Sequence, residues 1–407
     1  MPRATPLLLT AALLSAFVAP AAAQAAPAGP AHIRGDKTVP AYSYADAIRE
    51  SVWVQVPTDA DRDGVRDRVA VDLVRPRTRP GVKVPVIIDA SPYYACCGRG
   101  NESELKEYDE NGVISKAPLF YDNYFVPRGY AFAGVDLTGT SRSTGCQDVG
   151  GPLEVAGAKA VIDWLNGRAP GFTAATAGAP VTARAWTTGK AGMIGKSWDG
   201  SVANGVAATG VRGLETIVPI GAISSWYDYQ RYHGTLRSRD YPEYLQRYVS
   251  NSLERCTAVT NSLDTESAEE TGDYNAYWKV RDYRRDAKKV RASVLIAHGV
   301  NDTNVATPQF EKWWEALADE GVARKLYLFQ TGHVDPFDMD RARWVDLLHR
   351  WFDRYLQGLR NGVEREPRAI VETSPGTYTP ARDWPVPGTR PVTVKLGKGT
   401  AAYTDQG

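Results

Sequence analysis

The chain has 407 residues, of which 43% are hydrophobic and 23% are charged, and its formal net charge is +1. This is the composition of a globular protein with a large core, and the length predicts about two to three domains. A near-neutral charge without long charged blocks excludes the basic surface of a nucleic-acid-binding protein. We therefore expect a small molecule or a peptide as the ligand, and no nucleic acid.

The first 26 residues have the pattern of a secretory signal peptide. A basic residue, Arg3, precedes an apolar run too short to span a bilayer comfortably, and the small residues "AAAQAA" follow. An uncleaved membrane anchor is the alternative, and the short apolar run disfavours it. We expect a secreted, extracellular protein without a membrane partner after cleavage.

Strand and helix patterns alternate through most of the remaining chain. Residues 51–76 alternate apolar and polar side chains on both sides of an Asp- and Gly-rich stretch, which predicts a hairpin. Buried strands are predicted within 82–94 and 125–138, and helical spacing follows within 154–168. Further strands and helices alternate to residue 357. This order predicts an α/β fold with a mostly parallel sheet and helices on both faces.

Two segments depart from this alternation and set the predicted domain boundaries. Residues 224–290 are rich in Tyr, Arg, Asp and Glu with weak helical spacing, so we interpret them as a helical cap inserted between core segments 46–223 and 291–365. Residues 366–407 are rich in Pro and Thr with short strand-like runs, and we expect them to start a separate, incomplete β domain.

Four cysteines can form two disulfides in an oxidising compartment, with three possible pairings: Cys96, Cys97, Cys146 and Cys256. Adjacent cysteines rarely bridge each other, because the disulfide prefers a wider separation of Cα atoms. We therefore expect different partners for Cys96 and Cys97. A zinc site is disfavoured by the spacing.

The predicted hairpin turn resembles a calcium-binding loop, with acidic side chains at Asp59, Asp61, Asp63 and Asp67 around Gly64. The glutamate at the twelfth position of an EF-hand loop is absent, because Ala70 stands there. A solvated turn is therefore favoured over a calcium site, and we predict neither a metal nor a cofactor.

The stretch "MIGKSWDG" places Ser197 where a predicted strand turns sharply into a helix. Such a turn requires small neighbours and exposes the hydroxyl of a nucleophile, and Gly195 is one of them. The strict motif also has glycine two residues after the serine, where this chain has Asp199 and then Gly200. A structural serine at a turn is the alternative.

A base and an acid follow Ser197 in the order that this kind of site requires. Asp302 follows the predicted strand "SVLIAHG", and His333 follows "RKLYLFQTG". His333 would take the serine proton and Asp302 would orient the imidazole. Of the five histidines, His298 is the rival, while His32, His233 and His349 occupy the chain start, the cap and an amphipathic helix.

With these motifs in place, the sequence resembles the X-Pro dipeptidyl-peptidase family, whose relatives include cocaine esterase and α-amino acid ester hydrolases. The stretches "ASPYY", "VDLTGTSRSTG", "GKSWDG", "PIGAISSWYDYQRYHG", "HGVNDTNV" and "TGH" carry the resemblance. It implies an α/β-hydrolase core and a Gly-x-Ser-aromatic-x-Gly turn. It also implies an oxyanion hole made by the Trp198 backbone N–H and the Tyr93 hydroxyl, with Tyr94 as the neighbour easily mistaken for it.

The same resemblance implies the substrate-binding residues. Trp226, Tyr229 and Val305 would line a pocket for a proline ring, although these aromatic residues are also typical of an ordinary core. Asn304 and an acid in "SRDYPEYL", Glu243 or alternatively Asp240, would bind the substrate ammonium. Family members continue through a complete jelly-roll-like domain, of which we expect only the start here.

These features predict a serine exopeptidase that releases Xaa-Pro dipeptides from peptides with a free N-terminus and proline at the second position. The alternative is an ester or amide acylase that uses the same Ser197, Asp302 and His333. A hydrolase-like binding module without activity is a different class, and the complete set of three residues disfavours it.

Overall fold

The computed structural model describes residues 32–97, 104–390 and 392–393, so the predicted signal peptide over 1–26 lies outside the described residues. The strands are β1 (His32–Arg34), β2 (Lys37–Val39), β3 (Ile48–Gln55), β4 (Arg68–Arg75), β5 (Val84–Ser91), β6 (Glu107–Tyr108), β7 (Ile114–Lys116), β8 (Ala131–Asp136), β9 (Gly171–Phe172), β10 (Pro180–Val181), β11 (Thr187–Lys196), β12 (Leu214–Ile220), β13 (Arg231–Tyr232), β14 (Thr235–Leu236), β15 (Ser293–Gly299), β16 (Arg324–Phe329), β17 (Ala369–Ser374) and β18 (Thr377–Ala381).

The α-helices are α1 (Tyr121–Phe125), α2 (Pro152–Leu165), α3 (Trp198–Ala208), α4 (Trp226–Gln230), α5 (Tyr241–Val249), α6 (Thr257–Glu266), α7 (Ala276–Lys279), α8 (Pro308–Asp319), α9 (Pro336–Met339) and α10 (Arg341–Tyr355). Three short 3₁₀ segments are also described: Val126–Arg128, Tyr283–Lys289 and Val363–Arg365. Within the described part of the chain, no helix is long and apolar enough to cross a membrane.

The main sheet has twelve strands in the order β10-β9-β3-β4-β8-β5-β11-β12-β15-β16-β17-β18. Seven neighbouring strands of this sheet are parallel to one another, in the order β8-β5-β11-β12-β15-β16-β17. The strand pairs on either side of this group are antiparallel. The prediction of a mostly parallel sheet is confirmed. The predicted hairpin is also confirmed, because β3 and β4 pair in antiparallel register with Val52 opposite Val71.

Side chains of the central strands enter two cores, one on each face of the sheet. In β11, Met193 packs into one core and the next residue, Ile194, packs into the other. Successive strand side chains point to opposite faces, so strands buried on both faces have continuous apolar runs. One core includes residues of α2, α3 and α8, and the other includes residues of α1 and α10.

The segment predicted as a cap contains α4, α5, α6 and α7 together with the small β13–β14 hairpin and a 3₁₀ segment. Helices thus make up most of the regular structure in residues 224–290. The disulfide between Cys146 and Cys256, with Cα atoms 5.5 Å apart, joins the loop after β8 to the residue that immediately precedes α6.

The expectation that Cys96 and Cys97 have different partners is wrong. The structure pairs them with each other, and their Cα atoms are 3.7 Å apart. The backbone N–H groups of both residues donate to the carbonyl oxygen of Tyr93, at 3.1 and 3.2 Å. This tight turn holds the side chains of Cys96 and Cys97 together. Cys146 and Cys256, which are distant in sequence, form the other disulfide.

Strands β17 and β18 fall within the segment that we assigned to a C-terminal β domain. In the structure, β17 pairs in parallel with β16, and β18 pairs with β17. These two strands therefore extend the main sheet at its edge. Residues 394–407 of the predicted domain lie outside the described residues.

Candidate functional site

The carboxyl ends of the parallel strands meet at one edge of the sheet, where ligands of open α/β sheets bind. Tyr93 follows β5, Ser197 follows β11, Asp302 follows β15 and His333 follows β16. Strand β5 pairs with β11, and β15 pairs with β16. The topology therefore brings these predicted residues to a common edge.

Ser197 occupies a strained turn between β11 and α3. Its φ is 62° and its ψ is −122°, in the left-handed half of φ space that non-glycine residues rarely adopt. Its backbone N–H donates to Ile220 at 2.8 Å, and its carbonyl oxygen accepts the hydroxyl of Ser201 at 2.7 Å. These hydrogen bonds stabilise the strained backbone conformation of Ser197. The N-terminus of α3, which is the positive end of the helix dipole, faces the serine.

The glycines around Ser197 allow α3 to pack against the sheet. A Cβ atom added at Gly195 would overlap the side chain of Asp199, and one added at Gly200 would lie 2.5 Å from the Gly195 carbonyl oxygen and 2.9 Å from Ala222 Cβ. The strand and the helix thus approach each other closely at both glycines, and Gly195 leaves the space that the Asp199 side chain occupies.

Asp302 and His333 form a hydrogen-bonded pair. His333 Nδ1 lies 2.6 Å from Asp302 Oδ2, and the other carboxylate oxygen accepts the backbone N–H groups of Asn304 and Val305 at 2.9 and 2.8 Å. The Asp302 side chain is fully buried, whereas 21% of the His333 side chain is exposed. The acid is therefore fixed, and the imidazole is open on one side.

The turn after β12 connects this pair to the serine. A Cβ added at Gly221 would lie 3.3 Å from His333 Nδ1 and 3.4 Å from Asp302 Oδ2, and the preceding residue, Ile220, accepts the Ser197 N–H. The structure thus brings all three predicted residues together. Among the described residues no hydrogen bond joins the Ser197 hydroxyl to His333, and such bonds commonly tighten only with bound substrate.

The rival histidine, His298, has a different environment. It is fully buried at the end of β15, and its Nε2 bonds to the carbonyl oxygen of Val305 at 2.8 Å. Burial lowers its pKa to about 4, so it is neutral at neutral pH. His349 bonds to Thr38 and Tyr124 on the opposite face of the sheet. Neither contacts the serine turn through a hydrogen bond in the described structure.

The two neighbouring tyrosines of the "SPYY" loop point to different places. Tyr94 is buried and its hydroxyl donates to the Asp89 carbonyl oxygen at 3.0 Å. Tyr93 is only partly buried, and its ring packs edge-on against Trp198 with centroids 6.1 Å apart. Burial, with the Asp199 charge second, raises the pKa of Tyr93 well above its ordinary value, so the phenol remains a hydrogen-bond donor.

Trp226 and Tyr229 stand close to the serine turn. The ring of Trp226 lies 5.3 Å from that of Trp198 and 5.7 Å from that of Tyr229. Both predicted residues line a small cavity of about 10 Å³ that also includes Tyr241. Val305 is fully buried and is not among the residues that line this cavity.

The predicted ammonium-binding residues are not joined by a hydrogen bond in the described structure. Asn304 Oδ1 already accepts the Tyr229 hydroxyl and the Arg237 guanidinium, each at 3.1 Å. Glu243 is buried, its Oε2 has no hydrogen-bond partner among the described residues, and burial raises its pKa. Its carboxylate lies within 4.8 Å of those of Asp240 and Asp264.

The acidic turn between β3 and β4 is held by its own side chains. The Asp59 carboxylate accepts the backbone N–H groups of Asp63 and Gly64 at 3.1 and 3.0 Å, and Asp67 accepts that of Ala60 at 2.8 Å. Burial raises the pKa of Asp67 to about 6. The carboxylates of Asp59, Asp61 and Asp67 lie within 4.8 Å of one another.

Sequence reasoning missed two polar residues next to the site. Arg237 stacks on the Tyr229 ring at 4.1 Å and binds Asn304, while Glu154 accepts the Trp198 indole N–H at 2.8 Å. Neither has a motif. Glu154 lies in the first turn of α2, where an acid is typical simply because of the helix dipole.

Comparison with known sequences identifies the relatives of this chain. The profile of the X-Pro dipeptidyl-peptidase family, S15, matches residues 63–335. A protein of Streptomyces avermitilis, classed by name among the Xaa-Pro dipeptidyl-peptidases, is 56% identical over 396 residues, which are 96% of this chain and 57% of that protein.

An Xaa-Pro dipeptidyl-peptidase of Lacticaseibacillus casei is 31% identical over 82% of this chain and 48% of its own length. The chain thus spans about half to three fifths of these relatives.

Solved structures establish the fold. A CocE/NonD family hydrolase from Staphylococcus aureus superposes with a TM-score of 0.59 at 16% identity, over 85% of this chain and 62% of that one. An α-amino acid ester hydrolase gives a TM-score of 0.53 at 17% identity, over 87% and 60%. The predicted α/β-hydrolase fold is confirmed. Together with the sequence matches, these results show that the chain belongs to the X-Pro dipeptidyl-peptidase family (S15) of serine peptidases.

Proposed function

We propose that the chain carries the catalytic site of a secreted exopeptidase that releases Xaa-Pro dipeptides from peptide N-termini. The observation that carries this proposal is the Asp302–His333 pair at 2.6 Å beside the strained turn of Ser197. Secretion is supported by the signal-like pattern of residues 1–26. Family membership supports a peptide substrate.

In this proposal the peptide bond is cleaved in two steps. Ser197 Oγ attacks the scissile carbonyl carbon while His333 Nε2 takes the hydroxyl proton, and Asp302 stabilises the imidazolium that forms. His333 then gives the proton to the leaving amine, which departs as the carbonyl re-forms in an acyl-enzyme. Water, activated by the same histidine, hydrolyses the ester and frees the dipeptide.

The developing oxyanion would be stabilised by two donors. The backbone N–H of Trp198 is in the first turn of α3, where helix N–H groups have no partner within the helix. The Tyr93 hydroxyl makes no hydrogen bond with any described residue and remains protonated. Donors that are fixed before the reaction favour the transition state over the bound substrate.

The proline ring of the substrate would pack against Trp226 and Tyr229, since flat aromatic walls suit a rigid apolar ring, and these rings would move apart to widen the small cavity that they line. The unpartnered, buried Oε2 of Glu243 would accept the substrate ammonium. A cation there would compensate the crowded carboxylates of Glu243, Asp240 and Asp264.

One observation favours the acylase alternative. Asn304 Oδ1 already accepts hydrogen bonds from Tyr229 and Arg237. It is therefore a poorer acceptor for a substrate ammonium than an amide oxygen without partners would be. An acylase whose substrate has no free amine needs no ammonium site, and the same three predicted residues would serve it.

The nucleophile is tested with two variants. Ser197→Ala and His333→Ala should each lower kcat about 10⁴-fold or more, because the three residues act as a unit. Hydrolysis of aminoacyl-prolyl anilides and labelling by a fluorophosphonate measure this. Thr303→Ala, an exposed neighbour of the acid, is the control. Near wild-type turnover by either catalytic variant would end the assignment.

The free amine separates the peptidase from the acylase. If Glu243 binds the ammonium, acetylating the N-terminus of an Ala-Pro anilide should abolish cleavage, and Glu243→Gln should lower kcat/KM for the free substrate about 30-fold or more. Asp240→Asn is the matched control. Equal rates on both substrates in the wild type contradict the peptidase. Discrimination lost in Asp240→Asn but kept in Glu243→Gln would move the role to Asp240.

A further inference from the structure

A buried carboxyl group lies behind the candidate site and has no part in the chemistry described above. Glu154 is completely buried in the first turn of α2. Its Oε2 accepts two hydrogen bonds, from the Trp198 indole N–H at 2.8 Å and from the Gly150 backbone N–H at 3.0 Å. Its Oε1 is buried and has no hydrogen-bond partner among the described residues.

The first of these bonds fixes a ring at the centre of the site. Trp198 follows the nucleophile, and its indole lies between Tyr93, with ring centroids 6.1 Å apart, and Trp226, with centroids 5.3 Å apart. A rotation of this indole would displace both the proposed oxyanion tyrosine and the proposed pocket wall. The indole N–H is the only polar atom of this side chain, and Glu154 binds it.

The second bond fixes the other indole through the backbone. The Gly150 carbonyl oxygen accepts the Tyr283 hydroxyl at 2.8 Å, and that hydroxyl accepts the Trp226 indole N–H at 3.0 Å. Gly150 has φ of 69°, and a Cβ added there would overlap the Trp226 ring. Glu154 thus supports both indoles, one directly and one through Gly150.

The charges around Glu154 favour its neutral form. Burial and then the charge of Asp148 raise the pKa of Glu154 to about 8. The hydrogen bonds from Gly150 and Trp198, and then the Arg281 guanidinium, lower this pKa only in part. Arg281 lies 4.0 Å from the Asp148 carboxylate and also binds the Asp148 carbonyl oxygen at 2.8 Å. The remaining titratable neighbour, Tyr283, is a fully buried phenol that stays neutral.

A neutral carboxyl group fits the observed bonds. Its carbonyl oxygen can accept both N–H groups, and the second oxygen then carries the proton instead of an uncompensated charge. When the group ionises, the pocket holds a second buried negative charge next to Asp148. Relief of that repulsion requires water to enter or the surrounding rings to move.

We propose that Glu154 is a positioning residue that, as a neutral carboxyl group, holds the indoles of Trp198 and Trp226 in the geometry that catalysis needs. The proposal rests on the proposed serine-hydrolase function. It gives the site an alkaline limit that comes from a residue touching neither the substrate nor the reacting atoms.

Two variants and a control test the proposal by activity. Glu154→Gln keeps an oxygen acceptor but cannot ionise, so kcat near pH 7 should stay close to that of the wild type. We expect kcat of the wild type to fall around pH 8, and this fall should be absent in Glu154→Gln. Glu154→Ala leaves the indole N–H unpaired and should lower kcat about tenfold with a smaller change in KM. Asp163→Asn, at the other end of α2, should keep the wild-type pH profile.

A spectroscopic measurement separates this proposal from the proposed function. Near-ultraviolet circular dichroism reports the packing of tryptophan rings without substrate, and the wild-type signal should change with a midpoint near pH 8. The change should be absent in Glu154→Gln and present in Asp163→Asn. An alkaline transition that persists in Glu154→Gln, or is missing in the wild type, overturns the proposal. Absence of hydrolysis and fluorophosphonate labelling in the wild type overturns the proposed function instead.

Discussion

Tyr93 and Tyr94 are chemically identical neighbours, but their hydroxyl groups have different surroundings. The Tyr94 hydroxyl is consumed by the Asp89 carbonyl oxygen inside the core. Among the described residues the Tyr93 hydroxyl has no such partner, and its ring lies against Trp198, next to Ser197. Only Tyr93 is therefore available to stabilise an oxyanion.

Removing each hydroxyl in turn should separate catalysis from stability. Tyr93→Phe should lower kcat about 100-fold while KM changes little, because the donor acts mainly in the transition state. Tyr94→Phe should keep kcat and lower the free energy of unfolding by about 1 kcal/mol, the usual value of one buried hydrogen bond. Steady-state kinetics and urea unfolding measure the two effects. A kcat loss in Tyr94→Phe alone would exchange the roles.

At the scale of elements, the two disulfides differ in what they connect. The Cys146–Cys256 bridge closes a loop across 110 residues and ties α6 of the cap to the loop after β8. The Cys96–Cys97 bridge joins neighbours in the turn that follows Tyr93. A cross-link stabilises mainly by restricting the unfolded chain, and this effect grows with loop length.

The double variant Cys146→Ser/Cys256→Ser should therefore lower the free energy of unfolding by about 2–5 kcal/mol. The matched control, Cys96→Ser/Cys97→Ser, should change it by much less, because the closed loop contains no intervening residues. Urea unfolding under non-reducing conditions compares the two. A larger loss in the control would mean that the vicinal pair supports the fold through the packing of its loop.

At the scale of the whole molecule, the central sheet buries a titratable histidine. His298 is fully buried, and its folded pKa of about 4 lies below its ordinary value of 6.5. The folded state therefore binds fewer protons than the unfolded state between these two values. The contribution of the neutral His298 ring to the free energy of unfolding is fully present above pH 6.5, and it is lost as the pH falls towards 4.

Replacing this histidine should remove that part of the acid sensitivity. His298→Gln keeps a side-chain N–H for the Val305 carbonyl oxygen but does not ionise in this range. The fall in Tm between pH 7 and pH 5 should be smaller in the variant than in the wild type, and comparing the two proteins cancels the titration of shared groups such as Asp67. An equal fall in both proteins would show that His298 protonates without cost in the folded state.

The local sequence determines many of the strands of this protein and the order of its predicted site residues. Continuous apolar runs such as that of β15 predict strands buried on both faces, and the alternation in β3 and β4 predicts their hairpin. The order of Ser197, Asp302 and His333 along these elements indicated the three residues that the structure brings together. Such features depend on periodicity and on the ends of strands, which a single sequence displays.

Only the tertiary structure decided which side chains share an environment. The vicinal Cys96–Cys97 pairing depends on a turn around the Tyr93 carbonyl oxygen, and the union of β17 and β18 with the main sheet depends on an edge offered by β16. Glu154 meets Trp198 across 44 residues of sequence. These contacts depend on how elements distant in sequence pack together, and burial then sets the charge state of each group. The spacing of residues along the chain therefore does not predict these contacts.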